Sequence, residues 1–323
     1  MGMLRRSLLV AVLLLGVAVP AAGAKTYAPP AGTIALGVAG RSTVGDYVAA
    51  TGRKPSIFQT FIMFRGSVDY AFERARGLDA APMLHISTAD GPGTREVVTP
   101  KGIAQGEVDG WLVGLQRRAA DVGGPVYVRL MGEMNGHWNQ YSAYGPGGKR
   151  NEAHSTRWFR RAWRRVAIIL RGGPDVDARL AAQHLPPLGE GELPLAQVSM
   201  VWCPQVAGAP DVPGNAPRAY WPGAKWVDWV STDFYSKFPN FAGLERFYKA
   251  FPGKPFAFGE WAIWDRDDPP FVKRFFGWVR THKRVKMLIY NQGHIKGGPF
   301  DLGRFPASTR AIRSATKGAR YDG

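Results

Sequence analysis

The alternation of short apolar runs with longer amphipathic segments limits the fold of this chain more than any other feature of its sequence. Eight short runs occur, at residues 34–38, 57–63, 82–86, 126–131, 198–203, 226–232, 255–258 and 285–290. Segments with helical periodicity lie between them, most clearly at 108–120, 155–171 and 271–281. Short runs that are apolar on both faces are typical of parallel strands covered by helices. The pattern therefore predicts an α/β fold.

The number of runs distinguishes two α/β architectures. A count of eight favours a single (β/α)₈ TIM barrel. The rival, a doubly wound open sheet, would carry a Gly-x-Gly-x-x-Gly turn after its first strand, and no such turn follows residue 38. A length of 323 residues with 45% hydrophobic content suits one large domain, which we expect at 33–323 after a Pro-rich leader at 25–32. The one cysteine, Cys203, excludes an intrachain disulfide framework and a thiolate zinc cluster.

The N-terminus of the chain has the composition of a secretory signal peptide, predicted at residues 1–24. Arg5 and Arg6 precede an apolar run at 8–19, and small residues follow up to Ala24. This order of basic, apolar and small residues predicts cleavage after Ala24 and export from the cell. The apolar run is shorter than the roughly 20 residues that a membrane-spanning helix needs. We therefore expect a secreted or cell-wall-associated protein with no membrane span.

The chain is strongly basic, with a formal net charge of +17 at pH 7. Its densest cationic stretch is 157–165. Phe159, Trp163 and Val166 fall on one helical face there, so the arginines occupy the solvated face of an ordinary amphipathic helix. This pattern disfavours specific nucleic-acid binding. An exported basic protein meets anionic cell-wall polymers first, and we expect electrostatic association with them.

Two glutamates follow predicted strands at the end where a barrel opens to solvent. Glu133 comes just after the fourth run and Glu260 just after the seventh. With a period of two, Arg129 and Glu133 share one face of the fourth strand, and Phe258 and Glu260 share one face of the seventh. Two carboxyl groups across a barrel mouth suit glycoside hydrolysis, where one is protonated and the other ionised. The alternative is that each glutamate pairs with an arginine and only stabilises the barrel rim.

Several segments resemble glycoside hydrolase family 26, the β-mannanase family. They occur in the order of that family between residues 126 and 290. The matching segments are Arg-Leu-Met-Gly-Glu-Met-Asn-Gly at 129–136 with Trp138, Val-Trp-Cys-Pro-Gln at 201–205, Tyr-Trp-Pro-Gly at 220–223, Asp-Phe-Tyr at 233–235, and Lys254-Pro255 before Glu260. The resemblance implies a (β/α)₈ barrel that cleaves a β-glycan, with a β-mannan as the leading substrate.

The resemblance also implies roles for individual residues. Glu133 would be the general acid/base and Glu260 the nucleophile of a retaining double displacement, with carboxyl groups about 5–5.5 Å apart. Tyr235 would orient the nucleophile, and Arg129 would keep it ionised. Arg129 and Asn135, both in the acid/base motif, are included among the expected substrate-binding residues. No cofactor or metal is expected, because the six histidines are scattered without a His-x-His or His-Glu-x-x-His pattern.

Aromatic residues near the predicted strand ends are candidates for sugar platforms. Trp138 lies in the loop after the acid/base, Trp202 ends the fifth strand, Trp261 follows the nucleophile, and Tyr290 ends the eighth strand. A sugar ring presents its C–H groups to an aromatic face and gains apolar contact there. Trp138 and Tyr290 are the preferred candidates, whereas Trp202 and Trp261 are equally compatible with core packing.

One departure from the family pattern leaves the substrate open. Gly132 stands before the acid/base, where the family has a histidine that contacts the reactive sugar. His85 or His137 are candidates to fill that space, and His85 is included among the expected substrate-binding residues. The departure keeps two alternatives. One is hydrolysis of another β-glycan, such as a β-1,3-xylan, a mixed-linkage glucan or an envelope polysaccharide. The other is a catalytically weakened barrel that only binds polysaccharide.

Overall fold

The structure, a computed structural model, describes residues 27–40 and 44–323. The predicted signal peptide at 1–24 lies outside the described residues. Among those described, no helix is long and apolar enough to cross a membrane.

Eight parallel strands close into a barrel, as predicted. Each strand pairs with its neighbours in chain order, and the last strand pairs with the first. The strands are β1 (Ile34–Ala39), β2 (Ile57–Met63), β3 (Ala81–Ser87), β4 (Val126–Leu130), β5 (Val198–Trp202), β6 (Trp229–Tyr235), β7 (Phe256–Ala262) and β8 (Val285–Asn291). A short strand, Tyr321–Asp322, extends the sheet beside β1 at its N-terminal end. The prediction of a (β/α)₈ barrel is confirmed.

Helices surround the barrel and cover the outer faces of its strands. They are α1 (Val44–Thr51), α2 (Asp69–Gly77), α3 (Pro100–Gln105), α4 (Asp109–Val122), α5 (Thr156–Arg171), α6 (Val176–Ala181), α7 (Phe241–Ala250), α8 (Pro269–Thr281) and α9 (Pro306–Ala315). The three segments predicted from periodicity correspond to α4, α5 and α8 within two residues at each end. Two-residue strands form small antiparallel pairs at Tyr144–Gly145 with Gly148–Lys149 and at Gly173–Pro174 with Glu192–Leu193.

The interior of the barrel is a packed core and not a pore. Inward-facing side chains of the strands form one buried cluster, separate from the larger cluster between strands and helices. The buried residues of the inner cluster are Ala35, Ala39, Ile57, Met83, Tyr127, Val201, Trp229, Ala257, Met287 and Ile289. A filled interior closes the barrel from below, so reactive groups can meet substrate only at the C-terminal ends of the strands.

Strand β7 contains a bulge that turns its glutamate into the barrel. The register with β6 and with β8 shifts by one residue beyond Phe258, so Gly259 is the extra residue. Phe258 packs outward against the helices, whereas Glu260 joins the polar groups at the barrel mouth. The prediction that Phe258 and Glu260 share a face is therefore wrong, because the bulge interrupts the period of two. A Cβ at Gly259 would lie 2.9 Å from the Cys203 sulfur, which explains the need for glycine.

Strand β4 ends before its glutamate. The strand stops at Leu130, and Met131 and Glu133 have positive φ angles of 45° and 53°. The Glu133 amide donates to the carbonyl oxygen of Cys203 at 2.6 Å, which fixes this turn against the end of β5. The prediction that Arg129 and Glu133 share a strand face is wrong. Glu133 lies beyond the end of the strand, and a left-handed turn positions its side chain. Such backbone conformations in non-glycine residues cluster at functional sites.

The arginines of α5 pack against neighbouring loops and do not form one free stripe. Arg160 and Arg161 donate to backbone carbonyl oxygens, and Nε of Arg164 donates to the Pro222 carbonyl at 3.0 Å. Arg165 is fully buried and paired with Asp109. Most of the cationic charge of this helix therefore stabilises the barrel wall.

Candidate active site

Arg129 lies at the centre of a polar cluster at the barrel mouth. Its side chain is fully buried, and its guanidinium donates to carboxylate oxygens of Asp233 and Glu260. The same group donates to Nδ1 of His85 at 2.9 Å. The sequence placed Arg129 among the substrate-binding residues, but no exposed surface remains for a substrate. The structure instead brings it into direct contact with Glu260, the residue that it was expected to keep ionised.

His85 supports Arg129, and its side chain is 13% exposed. Arginine can only donate, so Nδ1 of His85 accepts and its proton lies on Nε2. Nε2 is itself buried, and the ring packs 5.1 Å from that of Phe61. Burial, reinforced by the Arg129 charge, lowers the pKa of His85 well below its usual value and keeps the ring neutral. With Nδ1 bonded to Arg129 and Nε2 buried, neither nitrogen is presented to a sugar, and contact through the exposed part of the ring stays a prediction.

Glu260 accepts hydrogen bonds on both of its oxygens. Arg129 donates to Oε1, and the Tyr235 hydroxyl donates to Oε2. Nδ2 of Asn291 also donates to Oε2, at 2.8 Å. Burial and the neighbouring Glu260 charge raise the pKa of Tyr235 well above its ordinary value, so its hydroxyl keeps the proton that it donates. Three donors around one carboxyl group stabilise its ionised form.

Glu133 sits in a different environment. Trp138 Nε1 donates to its Oε2 at 2.7 Å, and the side-chain amide of Gln205 donates to Oε1. Burial raises the pKa of Glu133, the Glu260 charge raises it further, and Arg129 opposes the change. Glu133 is more exposed than Glu260, which is 7% exposed. Glu260 is thus surrounded by hydrogen-bond donors, whereas Glu133 is favoured as an acid that opens toward solvent.

Asp233 is a third carboxyl group at the barrel mouth. It belongs to the Asp-Phe-Tyr segment at 233–235, but the sequence analysis gave it no role. It bonds Arg129 and accepts from the Cys203 thiol at 3.2 Å. Burial raises the pKa of Asp233 well above its ordinary value, and Arg129 opposes this. One guanidinium charge faces Asp233, Glu133 and Glu260, so it cannot neutralise all three as anions. This imbalance favours a proton at the cluster.

Three of the four predicted aromatic platforms are buried outside the barrel mouth. Trp202 is fully buried and packs 4.8 Å from Phe251, measured between ring centroids. Trp261 stacks on Phe275 of α8 at 4.6 Å, and Tyr290 is 1% exposed. These side chains point from the strands toward the helices, so the prediction that they bind sugar is wrong. A position at a strand end does not by itself tell which way the side chain points.

Among the predicted substrate-binding residues, Trp138 is partly exposed beside Glu133, whereas Asn135 is buried. Asn135 is fully buried, and its amide donates to the carbonyls of Gln205 and Ala207 at 3.0 and 3.2 Å. Its Oδ1 accepts from the backbone N–H of Gln205 at 2.8 Å. Asn135 therefore ties the loop after β4 to the loop after β5, and the prediction of a substrate contact is wrong.

The structure shows a second aromatic group at the mouth that the sequence did not indicate. Tyr235 contacts the rings of Trp264 and Phe300 at 5.3 and 5.4 Å, and Trp264 contacts Phe238 at 5.8 Å. Phe238 is 69% exposed. The rings come from the loops after β6, β7 and β8, three neighbouring strands of the sheet. This cluster continues from the tyrosine beside Glu260 to the surface.

The glycine at 132 leaves room for Arg129. A Cβ built on Gly132 would lie 2.8 Å from three atoms of the Arg129 guanidinium. That guanidinium is held by Asp233, Glu260 and His85 and cannot move without breaking buried hydrogen bonds. Glycine at this position is therefore part of how this chain accommodates its buried arginine.

We expect Gly132→Ala and Gly132→His to destabilise the protein and to lower its activity. Overpacking in a filled interior costs about 1–3 kcal/mol of unfolding free energy, and displacing Arg129 also disturbs Glu260. Chemical denaturation measures the first effect. Gly147→Ala in the same loop is the matched control, because a Cβ there meets no atom within 4 Å. Equal stability of the Gly132→Ala and Gly147→Ala proteins would contradict this account.

A groove of about 780 Å³ lies elsewhere, on the outer wall between α1 and α2. Val48, Tyr70 and Leu78 line it, and neither Glu133 nor Glu260 does. The candidate active site is therefore defined by the carboxyl cluster at the mouth and not by the volume of this groove.

Comparison with known proteins supports the fold. At the level of sequence, no family model and no curated protein matches the chain. Solved structures are similar to it, among them a double mutant of a Cellulomonas fimi endo-β-1,4-mannanase (TM-score 0.63, 15% identity, covering 90% of this chain and 71% of that one). The GH26A protein of a Muricauda species has a TM-score of 0.57 and 17% identity over 90% of this chain and 91% of that one. A Bacillus subtilis mannanase has a TM-score of 0.58 and 14% identity over 87% and 85%. The chain therefore has the barrel fold of these enzymes.

Proposed function

We propose that the protein is a secreted retaining endo-β-glycanase that hydrolyses β-mannosidic bonds of a mannan-type polysaccharide. The observation that carries the proposal is the unequal environment of its two carboxyl groups. Glu260 accepts from Arg129, Tyr235 and Asn291, whereas the pKa of Glu133 is raised. A pair of carboxyl groups with opposite protonation is what acid-assisted glycoside cleavage requires.

In the first step, the Glu260 carboxylate attacks the anomeric carbon and Glu133 protonates the departing glycosidic oxygen. The C1–O bond breaks, and a glycosyl ester forms on Glu260. In the second step, Glu133, now ionised, takes a proton from water while that water attacks C1 and releases Glu260. Two inversions give net retention of anomeric configuration. Once Glu260 is esterified its charge no longer raises the pKa of Glu133, which suits the change from acid to base.

The choice of β-mannan comes from the sequence resemblance and from the mannanases whose fold the chain shares. Gly132 supports the alternative that the polymer is another β-glycan, because the side chain that the family uses at this point is missing. The basic composition and the predicted signal peptide support action outside the cell, near anionic wall polymers.

Phe238 is the exposed end of the aromatic cluster and is proposed to contact a sugar ring beyond the reactive one. We expect Phe238→Ala to raise KM on polymeric substrate by about two- to tenfold, since an aromatic contact contributes about 0.5–1.5 kcal/mol. Its kcat and its activity on a short aryl glycoside should stay unchanged. The comparison variant is Leu195→Ala, a 72% exposed apolar residue in the segment before β5. Equal KM values for these two variants would exclude Phe238 as a platform.

Reducing-sugar release from a panel of β-glycans tests the proposal. The panel holds β-mannan, galactomannan, β-1,3-xylan, β-1,4-xylan, mixed-linkage glucan and an envelope polysaccharide. We expect hydrolysis of a mannan, lost in Glu133→Gln and Glu260→Gln. Hydrolysis of a different polymer, lost in both variants, would keep the mechanism and replace the substrate. Binding without hydrolysis of any polymer would favour a polysaccharide-binding barrel.

A further inference from the structure

Asn291, the last residue of β8, reaches two groups at the nucleophile. It is 8% exposed, and its Nδ2 lies 2.8 Å from Glu260 Oε2 and 3.0 Å from the Tyr235 hydroxyl. No motif in the sequence pointed to this residue, because it follows an apolar run without any pattern of reactive residues around it.

The orientation of the Asn291 amide is fixed by its own chain. The backbone amide of Gly293 donates to Asn291 Oδ1 at 3.0 Å, so the oxygen faces the turn and the NH₂ group faces Glu260. Gly293 has a φ of 77°, a conformation that glycine adopts without strain. The turn after β8 therefore holds the two amide protons toward the carboxylate.

Both amide protons have acceptors within the protein. One reaches Glu260 and the other reaches the Tyr235 oxygen, which in turn directs the hydroxyl proton of Tyr235 to Glu260. Asn291 has no further N–H for a sugar hydroxyl, so it acts on the reaction through these two groups.

We propose that Asn291 is a positioning residue that holds the Glu260 carboxylate ionised and aligned, and fixes the hydroxyl of Tyr235 as a donor to it. The inference rests on the proposed glycoside hydrolysis. The titratable groups that face Glu260 from the surrounding elements are His85, Arg129, Glu133, Tyr141, Asp233 and Tyr235.

Asn291→Leu removes the donors at similar side-chain size, and Asn291→Asp replaces the amide with a second acid. We expect kcat to fall about 10- to 100-fold in both, the size of a lost hydrogen bond to a charged group, with KM unchanged. The acid limb of the kcat/KM profile should move to higher pH, because Glu260 loses donors or gains a neighbouring negative charge.

Gln205→Leu is the matched variant. It removes the side-chain amide that donates to Glu133 and leaves the donors to Glu260 in place. We expect it to change the basic limb and to leave the acid limb in place. A purely structural role for Asn291 would lower the whole profile without moving either limb, and this result would overturn the proposal.

A measurement without turnover separates this inference from the proposed function. Carbon-13 labelling of glutamate carboxyl groups gives a Glu260 signal, identified as the one lost in Glu260→Gln. We expect this signal to titrate at higher pH in Asn291→Leu and in Asn291→Asp than in the unaltered protein. Titration at the same pH in all three would overturn the positioning role. If the unaltered protein cleaves no β-glycan, the proposed function fails while this titration still decides the role of Asn291.

Discussion

Glu260→Gln is expected to lower kcat/KM on polymer by about 10⁴-fold or more. The amide cannot form the glycosyl ester, and losses of this size follow removal of a nucleophile from a covalent mechanism. The fold should persist, because the amide has the same size and Asp233 still pairs with Arg129. Initial rates of reducing-sugar release, together with the thermal unfolding midpoint, measure both expectations.

Glu245→Gln provides the control for Glu260→Gln. Glu245, like Glu260, accepts side-chain hydrogen bonds, but its donors are the ring nitrogens of Trp278 and His282 on the outer surface of the barrel. We expect it to retain full activity. Activity of Glu260→Gln within tenfold of the unaltered protein, at equal stability, would show that Glu260 is not the nucleophile.

Glu133→Ala is expected to lower polymer hydrolysis by roughly 10²–10⁴-fold, the contribution of a general acid/base. The loss should depend on the leaving group. A dinitrophenyl glycoside needs no protonation to depart, so its glycosyl ester should form rapidly and accumulate on Glu260. Azide should restore turnover by attacking C1 of this ester, which releases Glu260 and yields a glycosyl azide of retained configuration.

The pH profile gives a second test of Glu133. Its raised pKa keeps the acid form present above the ordinary carboxyl range near 4.5, so activity falls only as the pH rises through that higher value. The basic limb should disappear in Glu133→Gln. The exposed Glu192→Ala is the control and should keep both limbs. A basic limb that survives in Glu133→Gln would assign it to another group.

The barrel itself could be predicted because its strands are buried on both faces. Runs such as 34–38 and 255–258 contain no polar side chain, and a covered parallel strand leaves this signal in the sequence. The start of the sixth strand was predicted three residues too early, because Trp226 and Val227 are apolar but precede the strand. Trp226 ends a 3-10 turn, and β6 begins at Trp229. Burial alone does not mark where a strand starts.

The site could be predicted only in part because its geometry depends on tertiary contacts. The motifs identified Glu133, Glu260 and Tyr235, and the structure brings Tyr235 and Glu260 into direct contact. The bulge at Gly259 and the left-handed turn at Glu133 arise from packing against Cys203 and Arg129. A regular period of two cannot anticipate such irregularities.

The direction of single side chains was the other source of error. Trp202 and Trp261 face the helices, while Phe238 and Trp264, which the motifs did not include, face the mouth. The contact between Asn291 and Glu260 joins residues that are 31 positions apart in sequence, on the neighbouring strands β7 and β8. The register that brings them together includes the bulge at Gly259, which no motif marks.

The anomeric configuration of the first product tests the central claim most directly. Proton NMR during hydrolysis of a β-mannan, or of whichever β-glycan the protein cleaves, resolves the new reducing end before it equilibrates. The double displacement by Glu133 and Glu260 predicts that the β anomer appears first and the α anomer follows by mutarotation. Initial release of the α anomer would show a single displacement by water and would contradict the assignment of Glu260 as nucleophile.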